Sequence, residues 1–214
     1  MPEIMFNGPS GRIEGRYHHN EDPESKIVLL LHPHPKFGGT MNNPIIHNAY
    51  YTFVKNGFSV LRFNFRGVGK SQGEYDAGIG ELSDAASALD WIQELNRDST
   101  GCWVAGFSFG AWIAMQLLMR RPEIESFISI SPPANLYDFN FLAPCPSSGL
   151  IINGTDDIVA PKNDIQKLVD RLKSQKGIEI NHSLIDGANH FFDNEIESLN
   201  NEISKYIAKI LQKK

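Results

Sequence analysis

Short, wholly apolar runs alternate along this chain with longer stretches in which apolar and polar positions repeat every three or four residues. Lys26-Ile27-Val28-Leu29-Leu30-Leu31 is a nearly unbroken apolar run, the pattern of a strand buried on both faces of a parallel sheet. Ahead of it, Glu3 to Tyr17 reads as two short strands around the turn Asn7-Gly8-Pro9-Ser10-Gly11. Beyond it, a helix is predicted from about Asn43 to Asn56, stopped by Gly57, with a strand at Phe58 to Phe63. From Ile79 to Leu95 the apolar residues Leu82, Ala85, Ala86, Leu89, Ile92 and Leu95 recur at helical spacing. A strand at Cys102 to Gly106 then leads into an apolar helix from Phe109 to Met119. Strands at Ser126 to Ile130 and Gly149 to Ile152 follow, separated by a Pro-rich loop. A helix from Pro161 to Ser174, a strand from Ile178 to Leu184 and a helix from Asn194 to Leu211 complete the series.

Strand and helix in alternation predict an α/β fold: a three-layer α/β/α sandwich on a mostly parallel, doubly wound sheet, as one domain over residues 1–214. In such sheets ligands bind beyond the carboxyl ends of the strands. The loops after the strands are therefore where chemistry is expected. Ser131 to Ser148 is too short to form a large lid domain, so the site should be open.

Composition narrows the classes. The chain has 214 residues, 41% hydrophobic and 21% charged, an ordinary globular mixture with enough residues for a large core. A net charge of -5 argues against nucleic acid as a partner, and Lys209, Lys213 and Lys214 fit a solvated helix end. Two cysteines, Cys102 and Cys145, are too few for a disulfide scaffold; Cys102 reads as core. Met1 to Gly15 lacks the apolar stretch of a signal peptide, and no run approaches the length of a membrane span. A cytoplasmic protein with no membrane association is expected. Repeats and low-complexity tracts are absent from the sequence, and a monomer or homodimer is expected.

The strongest chemical signal is Gly106-Phe107-Ser108-Phe109-Gly110. A Gly-x-Ser-x-Gly string alone is weak. Here an apolar strand precedes it and the apolar helix Ala111-Trp112-Ile113-Ala114-Met115 follows it, the setting in which a tight turn lifts a serine hydroxyl above the sheet. The glycines let strand and helix approach closely. The amide of Phe109, at the helix N-terminus, can face a developing oxyanion.

Serine is a poor nucleophile without a base, and in this motif class an acid and then a histidine follow it in the chain. Both follow Ser108 at strand ends, in Asn153-Gly154-Thr155-Asp156-Asp157-Ile158-Val159-Ala160-Pro161 and in Ile185-Asp186-Gly187-Ala188-Asn189-His190-Phe191-Phe192. His190, with two aromatics to pack its ring, is the candidate base. Among the other histidines, His182 lies within a strand, His18 and His19 in an early polar loop, and His47 in a helix. Asp157 is the first candidate for the acid, Asp156 the second and Asp138 a remote third; whichever aspartate is not used is free to cap the helix near Pro161.

His32-Pro33-His34-Pro35-Lys36-Phe37-Gly38-Gly39 follows an earlier strand, where a second oxyanion donor is expected. Proline has no amide hydrogen, so between Pro33 and Pro35 only the His34 amide can donate. That makes His34 a backbone candidate whose side chain need not matter. A zinc site on His32 and His34 has no further ligand nearby in sequence. A structural hydrogen bond that ties the loop down suits His32 better. Arg66-Gly67-Val68-Gly69-Lys70-Ser71-Gln72-Gly73 mimics a phosphate loop, but Asn64 stands where its first glycine belongs and no apolar helix follows. A rigid loop beside the site is expected instead. No cofactor and no metal are expected.

Taken together, Gly106 to Gly110, Gly154 to Pro161 and His190 resemble the α/β-hydrolase superfamily. With His32-Pro33-His34-Pro35, Phe37-Gly38-Gly39-Thr40-Met41 and Arg62-Phe63-Asn64-Phe65-Arg66-Gly67-Val68-Gly69 added, nearly the whole chain resembles compact bacterial hydrolases related to dienelactone hydrolases and small esterases. The resemblance implies the α/β-hydrolase fold, Ser108 as nucleophile, Asp157 as acid, His190 as base, and the His34 and Phe109 amides as oxyanion donors. It supports Asp157 over Asp156 through the spacing of Gly154 and Pro161. His32-Pro33 departs from the His-Gly found in many members. The resemblance says little of the substrate; a carboxylic ester or thioester is expected because ester cleavage is the easier chemistry, and a small soluble one because the short Ser131 to Ser148 segment leaves the site open. A short-peptide or amide hydrolase and a catalytically silent binding protein are the alternatives. Phe107, Phe109, Phe191, Phe192, Tyr137 and Phe141 are candidates for an apolar acyl pocket.

Overall fold

The computed structural model of the protein describes residues 3–212. Eight strands form one sheet: β1 (Glu3–Gly8), β2 (Gly11–His18), β3 (Ile27–Leu31), β4 (Ser59–Phe63), β5 (Cys102–Phe107), β6 (Ile124–Ile130), β7 (Ser148–Gly154) and β8 (Ile180–Ile185). Their order across the sheet is β1-β2-β4-β3-β5-β6-β7-β8. β1 with β2 and β2 with β4 pair antiparallel, and every other neighbouring pair is parallel. The helices are α1 (Pro44–Lys55), α2 (Ile79–Leu95), α3 (Phe109–Leu118), α4 (Lys162–Lys173) and α5 (Ile196–Leu211). Element boundaries differ from those predicted by a residue or two at most ends, where caps rather than hydrophobic rhythm decide. At α1, for example, Asn43 lies just outside the helix and its Oδ1 accepts the Ile45 amide at 3.0 Å.

The all-apolar strands are explained by burial on both faces. Leu29 and Leu31 of β3 pack on one side with Leu89 of α2, Ile113 of α3 and Leu168 of α4. Val28 and Leu30 pack on the other with Phe53 of α1 and Ile203 of α5. Two cores result, one on each side of the sheet, giving the three-layer architecture. Each fully buried Leu, Ile or Phe adds about 1.5–3 kcal/mol. The 131–147 connection between β6 and β7 contains no helix or strand, so it forms no lid domain over the carboxyl ends of the parallel strands.

One feature of α2 is invisible to hydrophobic periodicity. Glu81 and Asp84, both buried, face the loop after β4. Glu81 accepts the amides of Asp76 and Gly78 at 2.9 and 2.7 Å. Asp84 takes a two-pronged bond from the Arg66 guanidinium at 3.0 and 2.8 Å and the Arg66 amide at 2.9 Å. Losing one partner of such a pair would cost about 3–5 kcal/mol. Ser71 Oγ donates to the Asn64 carbonyl and accepts the Glu14 amide, while Glu14 accepts the Lys70 amide. The polar groups of the phosphate-loop lookalike are thus spent on the protein itself, as expected of a rigid loop.

Candidate active site

Ser108 joins the last residue of β5 to the first of α3, at φ 55° and ψ -120°. A non-glycine residue in this region is strained by about 1–3 kcal/mol and must be held by its surroundings. The Ser108 amide donates to Ile130 O at 2.9 Å, and its carbonyl accepts the Ala111 amide at 2.9 Å. Both flanking glycines are required by space. A Cβ on Gly106 would lie 2.3 Å from Gly110 O, and one on Gly110 would lie 2.2 Å from Leu31 O. The turn therefore sits directly against the end of β3 with its hydroxyl partly open to solvent.

Above this turn the loops after β7 and β8 converge. A Cβ on Gly154 would stand 2.0 Å from Ala188 O, so the two loops meet backbone to backbone. His190 Nε2 lies 3.0 Å from Ser108 Oγ, and its Nδ1 lies 2.8 Å from Asp157 Oδ2. With the Asp157 carboxylate accepting Nδ1–H, the Nε2 lone pair faces the serine hydroxyl. The other Asp157 oxygen accepts the amides of Val159 and Ala160 at 2.9 and 2.8 Å. The His190 ring is held by Phe107, 5.0 Å away, and by Phe191 edge-on at 5.3 Å. Phe192, the second aromatic expected to pack it, turns into the core instead.

The neighbouring acids lie elsewhere. Asp156 is exposed and its carboxylate accepts the Thr155 hydroxyl at 2.9 Å. The expectation that the unused aspartate caps the next helix does not hold: Asp157 itself takes the free amides ahead of Pro161, and Asp156 takes none of them. Asp138 is exposed and lines a separate hollow of about 260 Å³ with Lys167 and Arg171.

His34 follows β3. Its carbonyl accepts the amides of Phe37 and Gly39, both at 3.1 Å. Its ring is wedged against Phe109, Tyr75 and Phe37, at 4.9, 5.0 and 4.7 Å. Nδ1 accepts the Lys36 amide at 3.2 Å, leaving Nε2–H to donate to the Tyr75 hydroxyl at 3.1 Å. The side chain, read from sequence as dispensable, is thus part of what shapes the loop. Partial burial holds its pKa below the ordinary histidine value. Phe109, as the first residue of α3, carries one of the amides that a helix start leaves without an intrahelical acceptor.

His32 is sealed in the protein. Nδ1–H donates to Pro33 O at 2.7 Å and Nε2 accepts the Phe65 amide at 3.0 Å. Burial pushes its pKa down to about 3, so it is neutral with both nitrogens engaged, which is the structural bond expected of it. Cys102 is buried, its thiol pushed up to about 12 by desolvation. Among the described residues, no group of three or more His, Cys, Asp or Glu is placed to hold a metal ion. No helix among them is long and apolar enough to cross a membrane.

A cavity of about 270 Å³ opens over Ser108 and His190, walled by Pro33, His34, Phe37, Gly38, Gly39, Asn43, Val159 and Phe191. Of the six aromatics proposed for an acyl pocket, only Phe191 lines it. Phe107, Phe109 and Phe192 are core, and Tyr137 stacks on Trp112 at 4.4 Å. Phe141 packs with Phe139 against the α2–α3–α4 core. Sequence reading missed Phe37, 86% exposed, and Val159 as wall residues. An apolar side chain in a Pro/Gly loop just after a strand was the available signal.

The family model for X-Pro dipeptidyl-peptidase (S15 family) matches residues 2–158, a span that includes Ser108 and Asp157 and ends before His190. An uncharacterised protein of Rickettsia prowazekii is 52% identical over 214 residues, covering 98% of this chain and 90% of that protein. The crystal structure of a protein of unknown function from Agrobacterium tumefaciens, provisionally assigned to the α/β hydrolases, is similar with 60% identity and a TM-score of 0.97, covering 100% of this chain and 98% of that one. A lidless α/β serine hydrolase from Xanthomonas campestris is similar with 27% identity and a TM-score of 0.88, covering 97% and 94%.

Proposed function

We propose that this chain, which belongs to the α/β-hydrolase superfamily, cleaves carboxylic esters of small molecules through an acyl-enzyme on Ser108. The observation that carries the reading is the unbroken hydrogen-bond chain from Ser108 through His190 to Asp157. His190 Nε2 takes the hydroxyl proton as Ser108 Oγ attacks the carbonyl carbon. Asp157 holds the ring in the right tautomer and stabilises its charged form. The tetrahedral oxyanion is received by the amides of His34 and Phe109; removing one such donor typically costs about a hundred- to a thousandfold in kcat. His190 then protonates the leaving alcohol. The same ring activates water, which attacks the acyl carbon and releases the acid and free Ser108.

Esters are favoured over peptides by the walls of the cavity. Among the described residues no carboxylate lines the space over Ser108, so a peptide's ammonium on the acyl side would be desolvated without a partner there, which is costly. A neutral acyl group beside Phe37 and Val159 carries no such penalty. The S15 match supports the second reading, hydrolysis of short peptides or amides by the same residues. Thioesters fit the same chemistry. A catalytically silent fold would not need the serine, histidine and aspartate held in one hydrogen-bonded line.

A fluorophosphonate probe tests the common core of these readings: wild type should be labelled and Ser108→Ala should not. A panel of short acyl esters, the matching thioesters and aminoacyl amides separates them. Higher kcat/KM on amides than on esters would replace the esterase reading with the peptidase one. An unlabelled, inert wild type would leave a binding protein.

A further inference from the structure

A second cavity, of about 300 Å³, lies beside the first and is lined by Asn43, Pro44, Ile45, Phe191, Asp193 and Ile196. Asn43 and Phe191 belong to both. Phe191 is therefore a partition between two hollows, half exposed, with its ring edge-on to His190. Most of the second hollow is apolar, walled by the start of α1 on one side and the start of α5 on the other. Its one formal charge is Asp193, whose Oδ2 accepts the Asn189 amide group at 2.8 Å.

We infer that this second hollow is the subsite for the alcohol part of the ester, and that it takes an apolar, preferably aromatic alcohol that carries no negative charge. The inference rests on the serine-hydrolase reading above. Its physical basis is the direction in which a leaving group must depart. The oxygen that leaves has to lie within hydrogen-bond reach of His190 Nε2, because that nitrogen returns the proton to it. The alcohol is thus carried on the His190 side of the tetrahedral carbon, away from the His34 and Phe109 amides that receive the oxyanion. Phe191 follows His190 in the chain, and the second hollow lies beyond Phe191. An alcohol longer than a few atoms passes the Phe191 ring and enters it, while the acyl group stays by Phe37 and Val159. Asp193 at the wall repels an anionic alcohol and tolerates a neutral or cationic one.

The test compares kcat/KM for phenethyl acetate and ethyl acetate, which share an acyl group and differ only in the alcohol. Burial of the extra ring should favour phenethyl acetate by about tenfold or more in wild type. Ile196→Trp, which fills the hollow from α5, should bring that ratio close to one. Pro44→Trp fills it from α1 at the first helical position, where an amide hydrogen is tolerated, and serves if the first variant folds poorly. The acetate of a carboxylate-bearing phenylethanol should be a poorer substrate than phenethyl acetate, and Asp193→Asn should narrow that gap. Fluorophosphonate labelling of every protein is run alongside. Labelled protein whose alcohol ratio is unmoved by either tryptophan overturns the subsite and leaves the hydrolase reading standing. If the tryptophans instead penalise long acyl chains on a constant ethanol, the hollow serves the acyl group and the assignment is likewise overturned. Wild type that neither labels nor hydrolyses esters overturns both readings.

Discussion

Asp157 and His190 meet at 2.8 Å between Oδ2 and Nδ1, with the carboxylate fully shielded from solvent, while the adjacent Asp156 points outward to Thr155. Two consecutive residues leave a turn in different directions, and only one can reach the ring. Asp157→Asn should therefore lower kcat on p-nitrophenyl acetate by about ten-thousandfold, the scale of the lost tautomer control. Its amide oxygen can still accept the Val159 and Ala160 amides, so thermal unfolding should change little. Asp156→Asn should leave kcat within about twofold, a surface change away from the ring. The reverse pattern of kinetics would move the acid to Asp156.

The His34 side chain offers a second test, because the proposed donor is its backbone amide and mutation leaves that amide present. His34→Ala removes the acceptor for the Lys36 amide and the partner of Tyr75. It should lower kcat about tenfold through a loosened oxyanion donor, with KM little changed. His34→Asn, whose side-chain oxygen can accept the same amide in an Asx-type turn, should recover part of the loss. Equal losses in the two variants would show that the Lys36 bond does not position the donor.

His32 links the same loop to pH. Its folded-state pKa is about 3, below the value of about 6.5 in an unfolded chain. The unfolded state therefore binds a proton first as the pH falls. The neutral ring's contribution is complete above about pH 6.5 and declines toward pH 3, with a slope of at most about 1.4 kcal/mol per pH unit. Urea unfolding of wild type and His32→Gln at pH 7, 5.5 and 4.5 measures it. The wild type should lose its advantage over the variant as the pH drops; a gap independent of pH would mean that the ring does not resist protonation in the folded protein.

Gly110→Ala should damage stability and catalysis together. Its Cβ would fall 2.2 Å from Leu31 O and 2.5 Å from His32 O, pushing α3 and the His34 loop apart. A cost of about 1–3 kcal/mol is expected from such overpacking, read as a lower Tm, with a parallel fall in kcat. Gly38→Ala is the control. That residue has φ 80° but open space around it, so its loss of stability should be backbone strain of about 1–2 kcal/mol with no overpacking. Equal stability of wild type and Gly110→Ala would mean that the loop yields freely.

The hydrophobic rhythm of the chain by itself determined where strands and helices lie and that the sheet is mostly parallel, since both follow from which neighbouring positions must be buried. It also determined the Ser108 turn, because strand, glycine spacing and helix are contiguous there, and it ordered an acid and His190 behind it at strand ends. The tertiary structure decided what depends on segments far apart in sequence. It brought Asp157 rather than Asp156 to His190, a choice the bare sequence left open, through the direction each side chain takes where the loops after β7 and β8 meet. It placed Phe107, Phe109 and Phe192 in the cores and left Phe37 and Phe191 at the cavity, because apolar character is the same in either place and only packing partners distinguish them. It paired Arg66 with Asp84 on a helix whose pattern shows only its apolar face. And it made the His34 ring part of the loop, since two of the groups that hold it, Tyr75 and Phe109, arrive from elsewhere in the chain, the loop before α2 and the first turn of α3.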